Sequence, residues 1–172
     1  MLRLKYTVAL AMGLLLAGNT LRAQETGKKA VALYDVQADA EKQISTAVKL
    51  AKQTNRHVLL QIGGNWCIWC TRFHHMVVAD AALSSLADSN YVVVMLNYSK
   101  ENKNEKTLAR LGYPQRFGFP VFVVLDAKGN RLHTQDSGYL EQDKGYNRAL
   151  VETFFRKWSP KALDPATYRE TQ

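Results

Sequence analysis

The two cysteines of the 172-residue chain are the residues whose spacing most clearly indicates chemistry. Cys67 and Cys70 close the stretch Gly-Gly-Asn-Trp-Cys-Ile-Trp-Cys that begins at residue 63, and a tryptophan precedes each of them. A Cys-x-x-Cys pair fits three kinds of chemistry: a structural disulfide, part of a metal site, or a redox pair that exchanges disulfides with a partner. A structural disulfide across this spacing closes a very short loop and restricts the unfolded chain little. The redox interpretation is therefore favoured over a purely structural one.

A metal site needs more ligands than two thiolates. His74 follows Cys70 by four residues, so Cys67, Cys70 and His74 offer three candidate ligands. A closed structural zinc site normally draws on a second ligand pair, and the sequence contains no second pair of cysteines. We expect no resident metal, and a metal carrier that uses these three residues stays open as an alternative function.

A buried strand followed by a helix is predicted to position the cysteine pair. Residues 58–62, Val-Leu-Leu-Gln-Ile, form a short apolar run that is typical of a strand covered on both faces. The two glycines that follow permit a sharp turn, and a helix is predicted from near Cys67 to about Val78. Unpaired N–H groups and the dipole at the start of a helix favour negative charge. We therefore expect the pKa of the Cys67 thiol to fall below its free value of about 8.5, toward the range of about 7 to about 3.5 known for such motifs.

This arrangement supports a two-step exchange. Cys67 is predicted to attack the disulfide of a partner and form a mixed disulfide. Cys70, one helical turn later and more buried, is predicted to attack Cys67 and release the reduced partner. We also expect at least one of the Trp66 and Trp69 rings to form an apolar docking surface around the nucleophile, instead of packing fully into the core.

The rest of the chain is predicted to alternate helices and strands. In chain order, the predicted elements are a helix at 39–54, a strand at 58–62, a helix at 67–78, a helical segment at 80–87, a strand at 91–96, a short helix through Leu108 and Leu111, a hairpin of strands at 121–125 and 131–135, and a helix at 144–158. Strands joined by helices run parallel, whereas hairpin strands run antiparallel. The order therefore predicts an α/β fold with a mixed central sheet and helices on both faces.

The first residues have the pattern of a secretory signal peptide. Arg3 and Lys5 precede an apolar run at 6–17, and cleavage is expected near Ala23. A membrane anchor is disfavoured because the run is shorter than the roughly 20 residues that a membrane span needs. We expect the mature protein to be periplasmic or secreted. The chain then divides into a signal peptide at 1–23, an N-terminal linker or short first strand at 24–38, the folded domain at 39–158, and a C-terminal tail at 159–172.

Composition and charge are those of an ordinary globular domain, with 47% hydrophobic and 22% charged residues. Removal of residues 1–23 takes away three basic residues and no acidic one, which lowers the formal net charge from +8 to +5. The remaining basic residues are scattered, so we expect no nucleic-acid partner. No Gly-rich nucleotide fingerprint is present, and we expect no cofactor. Outside the cytoplasm a disulfide can persist, so the expected export would give the two cysteines a redox environment to work in.

Taken together, these features resemble the thioredoxin superfamily, and most closely its secreted bacterial domains with a Trp-Cys-x-x-Cys motif. The resemblance covers about residues 39–158. It rests on Trp66-Cys-Ile-Trp-Cys70 between a strand and a helix, on Phe119-Pro120 before the third strand, and on Leu-Asp-x-x-Gly at 125–129. It implies a three-layer α/β sandwich and an exported thiol–disulfide oxidoreductase that reduces or isomerises disulfides.

The resemblance also implies a substrate-binding surface. Pro120 matches a cis-proline that the family places beside the cysteine pair, and the backbone of Phe119 would be exposed to pair with a partner peptide as an added strand. Trp66, Trp69, Phe119 and Pro120 would then contact the substrate. The implied partners are proteins that bear disulfides or thiols and a membrane thiol electron donor, and the protein is expected to be a monomer.

Two positions depart from the common pattern of the family. Gln61 stands where many thioredoxins have a buried acidic residue, so base assistance to Cys70 would have to come from a residue such as His74 or from water. Ile68 and Trp69 stand between the cysteines, where many members have Gly-Pro, and these residues help to set the direction of exchange. A non-catalytic adaptor that binds peptides on the aromatic surface stays open as a further alternative.

Overall fold

The computed structural model describes residues 32–169, and the predicted signal peptide at 1–23 lies outside the described residues. The helices and strands are α1 (Ala40–Thr54), β1 (His57–Gly63), α2 (Ile68–Ala79), α3 (Ala81–Asn90), β2 (Tyr91–Asn97), α4 (Glu105–Arg110), β3 (Val121–Leu125), β4 (Arg131–Asp136), β5 (Glu141–Gln142), β6 (Gly145–Tyr146) and α5 (Arg148–Lys157). The predicted order of elements is therefore confirmed, with one additional small hairpin, β5–β6.

The main sheet has four strands in the order β2-β1-β3-β4. β1 pairs with β2 in parallel and with β3 antiparallel, and β3–β4 is the predicted hairpin. The mixed sheet is thus confirmed. Because Ile62 pairs with Val121 and Gly63 pairs with Asn97, the carboxyl end of β1 lies beside the start of β3 and the end of β2. These three segments frame the residues that follow Gly63.

Side chains of β1 alternate between two layers of helices, as a two-residue strand period requires. Val58, Leu60 and Ile62 face a core that α1 and α4 cover. Leu59 faces the opposite core, to which α2, α3 and α5 contribute Phe73, Leu83 and Phe154, among others. The predicted three-layer sandwich is confirmed, and the burial of every β1 residue explains why its sequence is a continuous apolar run.

The last helix begins later than the periodicity predicts. The prediction placed its start at residue 144, but residues 145–146 pair with 141–142 in the small hairpin. Asn147 has extended backbone angles, and its side-chain oxygen accepts hydrogen bonds from the N–H groups of Ala149 and Leu150. An asparagine that satisfies two free N–H groups in this way starts a helix, so α5 begins at Arg148.

The two ends of the described chain are ordered without strands. Residues 32–38 form no strand, and the Asn102 amide donates to the carbonyls of Val36 and Ala38. Residues 161–168 form two 3₁₀ turns where a loose tail was predicted, because side chains such as Tyr168 donate to carbonyls within the segment. No helix within residues 32–169 has the length and apolar character that a membrane crossing requires.

Replacement of Asn147 tests the corrected start of α5. Asn147→Ala removes the acceptor for two N–H groups and is expected to lower the free energy of unfolding by about 1 kcal/mol. Asn147→Asp keeps an acceptor oxygen and is expected to lose much less. Urea denaturation followed by circular dichroism measures both. Equal stabilities of the two variants would show that the Asn147 side chain does not cap α5.

Candidate active site

The junction between β1 and α2 holds the two cysteines in a disulfide, with their Cα atoms 5.3 Å apart. Cys67 is the N-cap of α2, and its Sγ accepts a hydrogen bond from the backbone N–H of Cys70 at 3.1 Å. The N–H of Cys67 itself donates to Gly64 O at 3.0 Å, which closes the turn between strand and helix. The first turn of α2 therefore directs a backbone N–H at the Cys67 sulfur, where negative charge is favoured.

The two sulfurs differ in access. Cys70 is completely buried, whereas Cys67 keeps 5% of its surface exposed. The expected order of burial is thus observed. Since a thiol or disulfide partner must reach a sulfur in order to attack it, Cys67 is the sulfur that a partner can approach.

Gly63 gives the disulfide the space that it occupies. A Cβ atom built on Gly63 would collide with the Cys70 Sγ and would lie 3.0 Å from the hydroxyl oxygen of Tyr34. The sulfur of Cys70 and the hydroxyl of Tyr34 therefore border the same point beside the last residue of β1. Residue 63 must be glycine because of this close approach, and not because its backbone adopts a conformation that only glycine allows.

Trp66 is the exposed ring beside the disulfide. Its side chain is 59% exposed, and its Nε1–H donates to Tyr98 O at 2.8 Å. The ring meets Phe119 edge to face at 5.3 Å, and Phe119 stacks on Tyr98 at 4.8 Å. The three rings form one cluster along the side of the site, in the geometries that aromatic pairs prefer.

Trp69 is held more tightly than Trp66. Its ring is half-buried, meets Tyr146 edge to face at 5.8 Å, and lies under the Arg72 guanidinium at 4.9 Å. The Tyr146 hydroxyl also donates to Trp69 O at 3.3 Å. The residue between the cysteines that is open to solvent is Ile68, 57% exposed, which the sequence analysis did not name as a contact residue.

The bond between Phe119 and Pro120 is cis, as the resemblance implied. Phe119 packs against the cluster of buried residues that contains both cysteines. Within residues 32–169, its backbone N–H and carbonyl make no hydrogen bond. Pro120 is buried, so of this dipeptide it is Phe119 that offers free backbone groups at the surface.

Gln61 replaces a buried acid with an amide, and its partner is a tyrosine that the sequence analysis missed. The Gln61 amide donates to the Tyr34 hydroxyl at 2.8 Å and to Cys70 O at 3.1 Å. Tyr34 is 1% exposed, and Asn65 holds it by a pair of hydrogen bonds to its backbone N–H and carbonyl, at 2.9 and 2.8 Å. Burial raises the pKa of Tyr34, a shift that the Gln61 hydrogen bond opposes. Tyr34 lay in a segment without periodicity, so no pattern identified it.

His74 lies near the site without joining it. It lines a cavity of about 140 Å³ together with Gln61, Phe73 and Val77. Burial, followed by the charge of His75, lowers the pKa of His74. The two sulfurs that a metal carrier would use are bonded to each other, and residues 32–169 contain no group of three or more His, Cys, Asp or Glu side chains that could hold a metal.

A sequence profile described as thioredoxin-like matches residues 39–127, more than half of the chain. The chain belongs to the thioredoxin-like family. Over 98 residues it is 26% identical to the thiol:disulfide interchange protein DsbD of Ralstonia nicotianae, a match that covers 56% of this chain and 16% of that protein. This chain therefore corresponds to a small part of that relative's length.

Solved structures support the same assignment. The disulphide isomerase from Xylella fastidiosa Temecula1 superposes with a TM-score of 0.64 and 26% identity, covering 73% of this chain and 95% of that chain. The oxidised C-terminal domain of DsbD from Neisseria meningitidis shares the fold, with a TM-score of 0.50, 16% identity, and coverage of 69% and 96%. The predicted family and fold, a thioredoxin-like domain with a Cys-x-x-Cys pair, are confirmed. The predicted enzyme class agrees with the relatives, which are described as a thiol:disulfide interchange protein and a disulphide isomerase.

Substitution of Gly63 tests how tightly the disulfide packs against β1. Gly63→Ala is expected to lower the free energy of unfolding of the oxidised protein by about 1–3 kcal/mol, because the new methyl group overpacks the space of the Cys70 sulfur. Gly145→Ala is the matched control, since a Cβ at Gly145 meets no atom within 4 Å. Urea denaturation measures both variants. An unchanged stability of Gly63→Ala would contradict the close approach.

Proposed function

We propose that this protein is an exported thiol–disulfide oxidoreductase that reduces or isomerises the disulfides of extracytoplasmic proteins. One observation carries the proposal: the sulfur at the start of α2, with a backbone N–H directed at it, is paired with a second sulfur that is completely buried. The first position favours an accessible thiolate. The second holds a thiol that only the neighbouring sulfur can reach.

The reaction of the reduced protein follows from this pairing. The Cys67 thiolate attacks one sulfur of a partner disulfide, and the electron pair of the broken bond leaves on the other sulfur of the partner. The Cys70 thiolate then attacks the Cys67 sulfur and forms the Cys67–Cys70 disulfide, the bond between Cys67 and the partner breaks, and the two partner thiolates take protons from solvent to give a dithiol. The partner disulfide is reduced, the dithiol of this protein is oxidised, and the proton of Cys70 passes to solvent.

The substrate-binding surface is proposed to consist of Trp66, Trp69, Phe119 and Pro120. Trp66 offers an exposed ring, and Phe119 offers free backbone groups to which an extended peptide adds as a strand. Trp69 and Pro120 are more enclosed, so their role is to shape the surface. Exposed Ile68 extends the apolar area on the side of the helix.

Export and the source of electrons are parts of the same proposal. The basic start, the apolar run and the small residues up to Ala23 support cleavage of a signal peptide and a periplasmic or secreted location. The 26% identity to a structure described as a disulphide isomerase supports reduction or isomerisation over oxidation. An exported reductase must itself be reduced, and a membrane dithiol carrier is the proposed donor.

Replacement of Cys70 tests the mechanism. Cys70→Ala leaves the mixed disulfide on Cys67 without its resolving thiol, so covalent complexes with partner proteins are expected to accumulate in the periplasmic fraction. Non-reducing electrophoresis and mass spectrometry detect and identify them. Cys67→Ala is the matched control, because it keeps one thiol, buried, and is expected to trap nothing.

Two outcomes would contradict the mechanism. Complexes that form equally with Cys67→Ala would show that Cys67 is not the nucleophile. An empty trap, under conditions in which the unaltered protein reduces a test protein disulfide, would show that exchange does not pass through a Cys67 mixed disulfide. Titration of the unaltered pair against glutathione then measures the direction of exchange.

Replacement of Trp66 tests the binding surface separately from the chemistry. Trp66→Ala is expected to raise KM for a protein disulfide by roughly fivefold to tenfold, since the loss of an aromatic anchor typically costs more than about 1 kcal/mol. The rate with oxidised glutathione, which needs little apolar contact, is expected to stay within about twofold. Leu50→Ala, which truncates a 41% exposed side chain in the C-terminal half of α1, is the control. Equal losses with both disulfides would place Trp66 in the chemistry instead.

A further inference from the structure

The buried sulfur of Cys70 has a hydroxyl group beside it that the exchange described above does not use. The Tyr34 hydroxyl and the Cys70 Sγ border the same point next to Gly63, and Tyr34, Cys67 and Cys70 form one buried cluster. The hydroxyl accepts a hydrogen bond from Gln61 and donates to no acceptor within residues 32–169. Its proton is therefore available, in a place from which water is excluded.

The position of Tyr34 is fixed from several directions. Asn65, a residue of the cysteine motif itself, binds the backbone N–H and carbonyl of Tyr34. Asn102 binds the carbonyls of Val36 and Ala38 a few residues later. A bidentate side-chain contact of this kind locks the backbone of a segment that has no helix or strand of its own. These hydrogen bonds hold residues 34–38 in place, and the Tyr34 side chain is thereby fixed beside the two cysteines.

We propose that Tyr34 is a further catalytic residue of the exchange reaction, whose hydroxyl donates a hydrogen bond to the Cys70 sulfur when the disulfide is open, and that Gln61 positions this hydroxyl. The proposal rests on the proposed function for its role in exchange. In many thioredoxins a buried acidic residue assists the second cysteine. Here the uncharged pair of Tyr34 and Gln61 would assist Cys70 instead. A donor stabilises the thiolate in place, whereas an acid would accept the proton.

The protonation state of Tyr34 suits this role. Burial raises its pKa, so the hydroxyl keeps its proton throughout the range in which a thiol titrates. Burial in apolar surroundings also raises the pKa of a thiol, and a hydrogen bond donated to the thiolate counteracts that effect. The Tyr34 hydroxyl therefore lowers the pKa of Cys70 relative to the same site without it, and increases the fraction of Cys70 that attacks Cys67.

The other titratable groups around the site are already engaged or face elsewhere. From β6, the Tyr146 hydroxyl donates to Trp69 O, and from α2, Arg72 lies over the Trp69 ring. His74, also on α2, lines the neighbouring cavity. The partners from β1 and β2, Gln61 and Met95, do not titrate, and no Asp, Glu, Lys or Arg is buried within residues 32–169. Of these groups, the Tyr34 hydroxyl is the one that borders the same point beside Gly63 as the Cys70 sulfur.

The direct test measures the pKa of Cys70 in a protein that holds this thiol alone. In the Cys67→Ser background, ¹³C NMR of the labelled cysteine Cβ follows the titration. Adding Tyr34→Phe, which removes the hydroxyl and keeps the buried ring, is expected to raise the pKa of Cys70 by about one unit or more, the effect of losing a hydrogen bond to a charged group. Tyr91→Phe is the matched control, because its equally buried hydroxyl donates to Phe155 O in the other core.

An unchanged pKa of Cys70 in Tyr34→Phe, or an equal rise in Tyr91→Phe, would overturn the proposal. Gln61→Met provides a second measurement should Tyr34→Phe fail to fold. It is expected to shift the pKa of Cys70 in the same direction by less, and the double variant is expected to match Tyr34→Phe alone, since both act through one hydroxyl. Additive shifts would show that Gln61 does not act through Tyr34.

A kinetic measurement links the hydrogen bond to exchange. With both cysteines present, the release of glutathione from a mixed disulfide on Cys67 is expected to slow roughly threefold to fourfold in Tyr34→Phe below the pKa of Cys70. The fraction of thiolate falls about tenfold, and the higher nucleophilicity of the more basic thiolate offsets part of that loss. These measurements distinguish failure of the proposed role of Tyr34 from failure of the proposed function. If the unaltered protein exchanges disulfides and Tyr34→Phe matches it in pKa and rate, only the role of Tyr34 is wrong. If the pKa shifts but no protein disulfide is exchanged, the hydrogen bond stands and the proposed function is wrong.

Discussion

The close packing of the Cys70 sulfur against the end of β1 is the constraint on which the site depends. Gly63 leaves no room for a side chain there, since any Cβ would collide with the sulfur. β1 is one of the two inner strands of the sheet and is hydrogen-bonded on its two sides by β2 and β3, so its end has little freedom to move and relieve a collision. The disulfide is thereby held at a fixed point, and α2 must begin where its first N–H groups meet Cys67. The contact between the Cys70 sulfur and Gly63 therefore keeps Cys70 buried and leaves Cys67 at the more accessible start of α2.

The polar side chains buried beside the Cys70 sulfur are uncharged. A buried charge is costly unless it is paired, and a buried amide is tolerated when its hydrogen bonds are made. Gln61 makes both of its donor hydrogen bonds, to Tyr34 and to Cys70 O. The site therefore carries a neutral hydrogen-bonded pair that does not ionise in the range where thiols titrate. A neutral donor favours the thiolate at every pH, whereas a carboxylate repels it once ionised.

Most of the fold and the cysteine arrangement were predictable from the sequence because they depend on local patterns. The apolar run at 58–62, the β-branched strand at 91–96 and the glycine-containing turn of the β3–β4 hairpin each indicate their element directly. The start of α5 was predicted wrongly because the apolar period includes Tyr146, whereas residues 145–146 pair with residues 141–142 in a short hairpin that carries no strand-like alternation. Tyr34 escaped prediction for a related reason. Its role arises from contacts with Gln61 and Asn65, 27 and 31 residues away, and a segment without helix or strand gives no periodic signal.

The residues that precede Cys67 make contacts that the spacing of the two cysteines does not reveal. In Gly-Gly-Asn-Trp-Cys, the first glycine accommodates the buried sulfur, the asparagine fixes Tyr34, and the tryptophan donates a hydrogen bond to Tyr98 O, directly after β2. Gly63, Asn65 and Trp66 thus each connect the disulfide region to a different contact in the chain. Because Trp66 contacts Phe119, which packs against the cysteines, the aromatic surface and the redox pair are one packed unit. Under the proposed function, a partner that binds at Phe119 would contact a ring that packs directly against the cysteine pair, so the bulky residue before Pro120 bears on substrate binding and on the redox pair together.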